Sequence, residues 1–169
     1  MIFKQKIGLH LKLTNNLSDL TKKAIDYNLN CFQFFLLQQH NGKYINFLPN
    51  DVKEFLSFKQ QYFSNIYIHC SYWINIATTN PTILNSSICI LKKEIKKAKK
   101  LGINSLVLHP GCASKNKKTQ TDPLGKIAGI QTIAKVLNSI LKKETEIEIL
   151  LENIDTVSKD DKSKLFKLI

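Results

Sequence analysis

Arginine is missing altogether. All 25 basic residues are lysine, against 13 acidic ones, for a formal net charge of +12. Lysine, asparagine and isoleucine together make up 61 of the 169 residues. That is the skew an AT-rich genome imposes, so the charge suits an anionic partner such as nucleic acid without establishing one. No apolar run approaches the ~18 residues of a membrane-spanning helix. The hydrophobic part of the opening MIFKQKIGLH is also far too short for a secretory signal. A soluble, cytoplasmic chain with no membrane partner is expected. The four cysteines, Cys31, Cys70, Cys89 and Cys112, form no C-x-x-C pair and no tight spacing, so free thiols in a reducing compartment are expected. No linker, low-complexity segment or long repeat interrupts the sequence, and one domain over 1–169 is expected, long enough for a real core.

What the chain does have is a regular alternation of β-rich runs and helical periods. KIGLHL (6–11), CFQFFLL (31–37), IYIHC (66–70), NSLVLH (104–109) and EIEILLE (146–152) read as strands. Between them fall helices: Leu17 to about Asn28, capped by Asn16 or Ser18; a second opened by Asn50 and Asp51 and running to Tyr62; and a third. In the second, Val52, Phe55, Leu56 and Phe58 are expected on one side. The third has the clearest signals: Asn80 as cap, Pro81 at the first position, Gly102 at the close. Leu84, Ile88, Leu91, Ile95 and Ala98 form its apolar stripe, opposite Lys92, Lys93, Lys96, Lys97, Lys99 and Lys100. A fourth helix is expected after Thr121, Asp122 and Pro123, with Leu124, Ile127, Ile130, Ile133, Leu137 and Ile140 inward, and KSKLFKLI begins a fifth. Strict β–α alternation implies a parallel sheet covered by helices. Five βα units are five-eighths of a closed barrel, which needs about 250 residues. The fold expected is a partial α/β barrel, or an open sheet that uncovers apolar side chains of the barrel interior.

The strand ends carry the chemistry. His10, His69, His109 and Glu152 stand at the C-terminal ends of four of the five strands, the face where α/β barrels hold their active sites. Singly, each has a bland reading, since a strand-end histidine is commonly a hydrogen-bonded structural residue and HPG (109–111) is a turn signal. Together they point to a metal site. Two imidazoles and a carboxylate suit zinc, and a catalytic zinc uses three protein ligands with an open position for a water that ionises near neutral pH.

In order and spacing, IGLH (7–10), HCSYWIN (69–75), LVLHPG (106–111) and LLEN (150–153) resemble endonuclease IV, the zinc-dependent apurinic/apyrimidinic endonucleases within the xylose-isomerase-like TIM barrels. The resemblance implies that His69, His109 and Glu152 ligate one zinc of a three-zinc cluster, Glu152 also bridging to a second, and that His10 lines the pocket. It implies that these three residues serve hydrolysis of the phosphodiester 5′ to an abasic site in double-stranded DNA. It places Tyr72 and Trp73 on a loop that enters the DNA at the lesion, where stacking is worth roughly 1–3 kcal/mol per base. His40 stands where the family carries a basic DNA-probing residue. Lys115, Lys117 and Lys118, in SKNKK after the fourth strand, are the expected phosphate contacts, whereas the 92–100 lysines lie on an outer helix.

The family's remaining zinc ligands lie on later strands, and IDTVSKDD follows Glu152 and Asn153 where the family has a Gly-rich turn. At most about one zinc is therefore expected here, together with self-association or a complementing C-terminal fragment. Two other readings stay open: a sugar isomerase or epimerase of the same superfamily, and a non-catalytic DNA-binding remnant.

Overall fold

Along each central strand the sealed apolar side chains recur at every second position, and that period decides what each side faces. In β2 (Cys31–Phe35) Phe32 and Phe34 are sealed; in β3 (Asn65–His69) Ile66 and Ile68 are, and in β4 (Ser105–Leu108) Leu106 and Leu108. Successive side chains point to opposite faces, so these apolar residues form one face, packed under the helices. The residues between them, Gln33, Phe35, Tyr67, His69 and Val107, share the other face. The computed structural model describes residues 6–14, 16–38, 41–113 and 123–153, apart from the side chains of residues 123, 124 and 126. His40, Lys115, Lys117, Lys118, the Leu124 side chain and the expected fifth helix lie outside what is described.

The strands β1 (Gly8–His10), β2, β3, β4 and β5 (Glu148–Leu151) form one parallel sheet in sequential order. Helices α1 (Leu17–Asp26), α2 (Pro49–Tyr62), α3 (Pro81–Lys100) and α4 (Pro123–Leu141) make the crossovers. The result is a partial TIM barrel of five parallel strands. Its core joins Phe32, Phe34, Ile66, Ile68, Leu106 and Leu108 of the sheet to Leu17, Phe55, Leu91, Ile95, Val136 and Ile140 of the helices.

The helix termini follow local chemistry, with one exception. Asn16 caps α1, its side-chain oxygen accepting from the Asp19 amide at 2.6 Å. Asn80 caps α3 through Thr82 and Ile83, with Pro81 at the first position. Gly102 then ends α3 at φ +61°. The exception is α2, which begins at Pro49 with Leu48 at its cap position and no side-chain cap bond. Asp51, expected to help open α2, instead accepts from the Leu17 and Ser18 amides of α1 at 2.9 Å each. A carboxylate near one helix N-terminus can serve another when the two helices pack side by side.

Two stripes differ from expectation. On α4, Val136 and Ile140 are buried, but Ile127 and Ile130 are 50% and 65% exposed. At 3.6 residues per turn, repeated three-residue steps drift around the helix by about 60° each, so the 127–130–133 series leaves the buried face. The inward position of that half is Gly129, where a Cβ would press on the Ala113 Cβ at 2.8 Å. On α2, Leu56 is exposed because it follows buried Phe55 directly and so lies about 100° around the helix from it.

Candidate metal centre

Register brings the strand ends together. His69 is level with Phe35 of β2 and Val107 of β4. His109 is two residues beyond Val107 and so returns to the same face one step further along. Leu108 pairs with Leu151, and His109 and Glu152 each directly follow one of that pair. The Glu152 amide closes the arrangement by donating to the Leu108 carbonyl at 3.0 Å.

The ligating atoms of His69, His109 and Glu152 all lie within 4.8 Å of one another, and among the described residues this is the one group of three that could hold a metal. Glu152 Oε2 is 3.2 Å from His69 Nε2 and 3.5 Å from His109 Nε2. Both Nδ1 atoms turn to backbone carbonyls, that of His69 to Cys70 at 2.9 Å and that of His109 to Glu152 at 3.2 Å. An Nδ1–H donated to a carbonyl fixes the tautomer that leaves a lone pair on Nε2. The donor set therefore fits a divalent cation such as zinc: two imidazole nitrogens and one carboxylate oxygen converge, with the outer ring nitrogens already held.

An aromatic wall surrounds this centre. His10 packs 4.5 Å from Phe35 and 5.5 Å from His69, ring centre to ring centre. Although His10 is exposed as a residue, this packing desolvates its imidazole and lowers its pKa; the neighbouring His69 adds to the lowering and Glu152 opposes it. Tyr72 lies 5.8 Å from His109 in a stacked arrangement with an 18° interplanar angle, and 5.2 Å from Phe35. Beside the wall, a cavity of about 610 Å³ opens between His10, Phe35, Leu37 and Ile45.

Tyr72 and Trp73 sit on the loop that leaves β3, and both are well exposed, at 64% and 58%. That loop is tied to HPG: the Ile76 and Ala77 amides donate to the Pro110 carbonyl at 2.9 and 3.2 Å, and Asn75 Nδ2 donates to the Cys112 carbonyl at 3.0 Å. Gly111 has φ +89°, and a Cβ there would collide with Asn75. Glycine is needed on both counts, which links the two motifs physically.

The sequence reading located His10, His69, His109, Glu152, Tyr72 and Trp73, and the fold gathers all six at the strand ends. It missed Phe35, although the same strand-end rule applied to β2 would have picked it out. It also missed Glu94 of α3, which is fully buried behind the site; the available signal was one acid at three residues from Leu91, inside a lysine-rich helix. The outer lysines behave as expected. They are mostly exposed, with Lys99 paired to Glu144 at 2.7 Å and Lys97 over the Tyr44 ring at 4.9 Å.

Residues 21–166 match the xylose isomerase-like TIM barrel family. A relative from Thermotoga neapolitana, named probable endonuclease 4, is 32% identical over 156 residues, covering 88% of this chain and 50% of that protein. The chain spans about half the length of the curated relatives it matches. The crystal structure of endonuclease IV from Thermus thermophilus superposes with a TM-score of 0.61 at 17% identity, over 87% of this chain and 62% of that one. A D-tagatose 3-epimerase-like protein superposes with a TM-score of 0.60 at 18% identity, over 88% and 53%. At those identities the two structures speak for the fold alone.

Proposed function

We propose, from the premise that this chain belongs to the xylose isomerase-like TIM barrel family, that it carries the N-terminal part of a zinc-dependent endonuclease acting at abasic sites in double-stranded DNA. The observation that carries the proposal is the convergence of His69, His109 and Glu152 within 4.8 Å at the strand ends. The relatives named probable endonuclease 4 support an endonuclease as the reaction class, and hydrolysis of the phosphodiester 5′ to the lesion is the step we assign to it from the resemblance of the strand-end motifs. The domain is read as a single incomplete barrel over 1–169.

The residues divide the work as follows. His69 and His109 present Nε2, each ring fixed by the carbonyl that Nδ1 engages, and Glu152 supplies the third ligand as a carboxylate. A zinc ion held there supplies Lewis acidity at a phosphoryl oxygen and lowers the pKa of water. His10, with its proton affinity lowered, stays neutral at physiological pH and lines the pocket without adding charge. Tyr72 and Trp73 offer ring faces to unstacked bases. Lys115, Lys117 and Lys118 are assigned to phosphate contact. His40 is assigned to probing the lesion. The exposed rings beside the centre favour DNA over a free sugar, for which an enclosed pocket would serve better.

The test is a nicking assay on a duplex with one abasic site and added zinc, using the chain alone and mixed with the C-terminal half of a curated relative. Among the described residues three ligands converge, enough for one ion, whereas clamping both the attacking and the leaving oxygen takes two. The expected result is therefore no measurable nicking alone, and 5′ nicking in the mixture that His69→Ala abolishes. Turnover of a ketose without any nicking would transfer the site to sugar chemistry.

A further inference from the structure

A carboxylate is buried where α3 should be apolar. Glu94 sits between Leu91, Ile95 and Ala98 on the inward stripe and is 0% exposed. Burying such a group in place of another leucine or isoleucine is costly unless its hydrogen bonds are needed. One of its oxygens, Oε2, accepts the Ser71 amide at 3.2 Å, and the carboxylate also takes the Cys70 thiol hydrogen bond. The other, Oε1, is buried and has no hydrogen-bond partner among the described residues, and the same holds for the Tyr44 hydroxyl.

Ser71 is the hub of the aromatic loop. Its side-chain oxygen accepts the Trp73 amide at 3.2 Å, and its carbonyl accepts the Ile74 amide at 3.2 Å. The loop's far end returns to the same helix, with the Asn75 amide donating to Ser87 Oγ at 2.9 Å. Ser87 is also buried, and its hydroxyl donates to the Ile83 carbonyl at 2.8 Å. Both ends of the segment from Ser71 to Asn75 are therefore anchored on α3, one by a carboxylate and one by a hydroxyl. The Cys70 amide and carbonyl are engaged by Val107 and His69, and the next amide, that of Ser71, is held by Glu94, so Glu94 acts on the chain at the point where it leaves β3.

We infer that Glu94 is a positioning residue: through Ser71 it holds Tyr72 and Trp73 in one presentation beside His69 and His109, so that the rings meet a ligand already ordered. This deepens the endonuclease reading, because the rings are those assigned there to DNA, but its test needs neither metal nor DNA and so stands or falls separately. Trp73 is the only tryptophan, which makes its time-resolved fluorescence anisotropy a direct report on the loop.

In Glu94→Leu, which suits the apolar stripe but removes the carboxylate that accepts the Ser71 amide, the fast local component of Trp73 depolarisation should grow about two-fold or more, with far-UV circular dichroism unchanged. Glu94→Gln keeps an oxygen for that amide and should restore the wild-type decay. An unchanged decay in a folded Glu94→Leu would overturn the inference. Should that variant not fold, hydrogen exchange in the unaltered chain decides. The Ser71 amide should be protected about 100-fold or more relative to an open loop, and exchange at the open-loop rate would overturn the inference equally.

Discussion

Glu94 also makes a prediction that depends on its charge alone. Burial pushes its pKa from 4.5 up to about 7, against the pull of its bonds to Ser71 and Cys70. The folded state then holds the proton more tightly than the unfolded state does. The residue's contribution to stability is complete below about pH 4.5, declines as pH rises toward 7 and is flat above; the span is roughly 3 kcal/mol. His10 acts in the opposite sense. Its lowered pKa favours the neutral ring in the fold, so its contribution is lost as pH falls below 6.5. Comparing urea midpoints of wild type and Glu94→Gln at pH 5 and pH 8 isolates Glu94. Wild type should lose stability between the two values relative to the variant, and parallel behaviour would show that the carboxyl is not desolvated. None of this was legible in the sequence. A lone acid among lysines reads as solvated surface, and only the loop amide facing it from the end of β3 explains its burial. The strand-end histidines and Glu152 were legible, because period-two alternation and strand termination are local.

At the scale of elements, α3 was readable because its cap, its proline, its apolar stripe and its closing glycine all lie within its own stretch of chain. The α2 terminus was not, since Asp51 caps α1 across the packing interface, and no local pattern encodes that. On α4, counting threes rather than following the 3.6-residue turn put Ile127 and Ile130 inside, and a glycine at the true inward position carries no hydrophobic signal. The β3–α3 loop makes the element-level prediction. On binding an abasic duplex, Trp73 fluorescence should be quenched, and Tyr72→Ala should weaken binding by about 1–3 kcal/mol, the worth of one stacked base. Affinity should also fall steeply with salt if Lys115, Lys117 and Lys118 contact phosphates. Tight binding indifferent to both salt and Tyr72→Ala would make the two rings packing residues of the barrel rim.

For the whole molecule, the described sheet ends at β1 on one side and β5 on the other. Unpaired parallel edges invite pairing with another chain. The apolar liability lies at those edges, where Ile7, Leu9, Leu150 and Leu151 are exposed. The interior face is mixed. There Gly8, Gln33, Tyr67 and Ser105 share the face of His69 with Phe35, Val107 and Leu150, and the Ser105 hydroxyl is bonded to Glu148 at 3.0 Å. Light scattering on a sizing column should therefore show species heavier than the 19.3 kDa chain, resolved by a chain that supplies further strands; a clean monomer would mean the edges are self-sufficient. The metal centre itself is tested by elemental analysis of zinc in purified protein after dialysis, for wild type beside His109→Ala. One zinc per chain in wild type and close to none in the variant is the outcome predicted from three ligands on rigid strand ends. Equal zinc in both proteins, or a stoichiometry near three in wild type, would contradict a single centre at His69, His109 and Glu152.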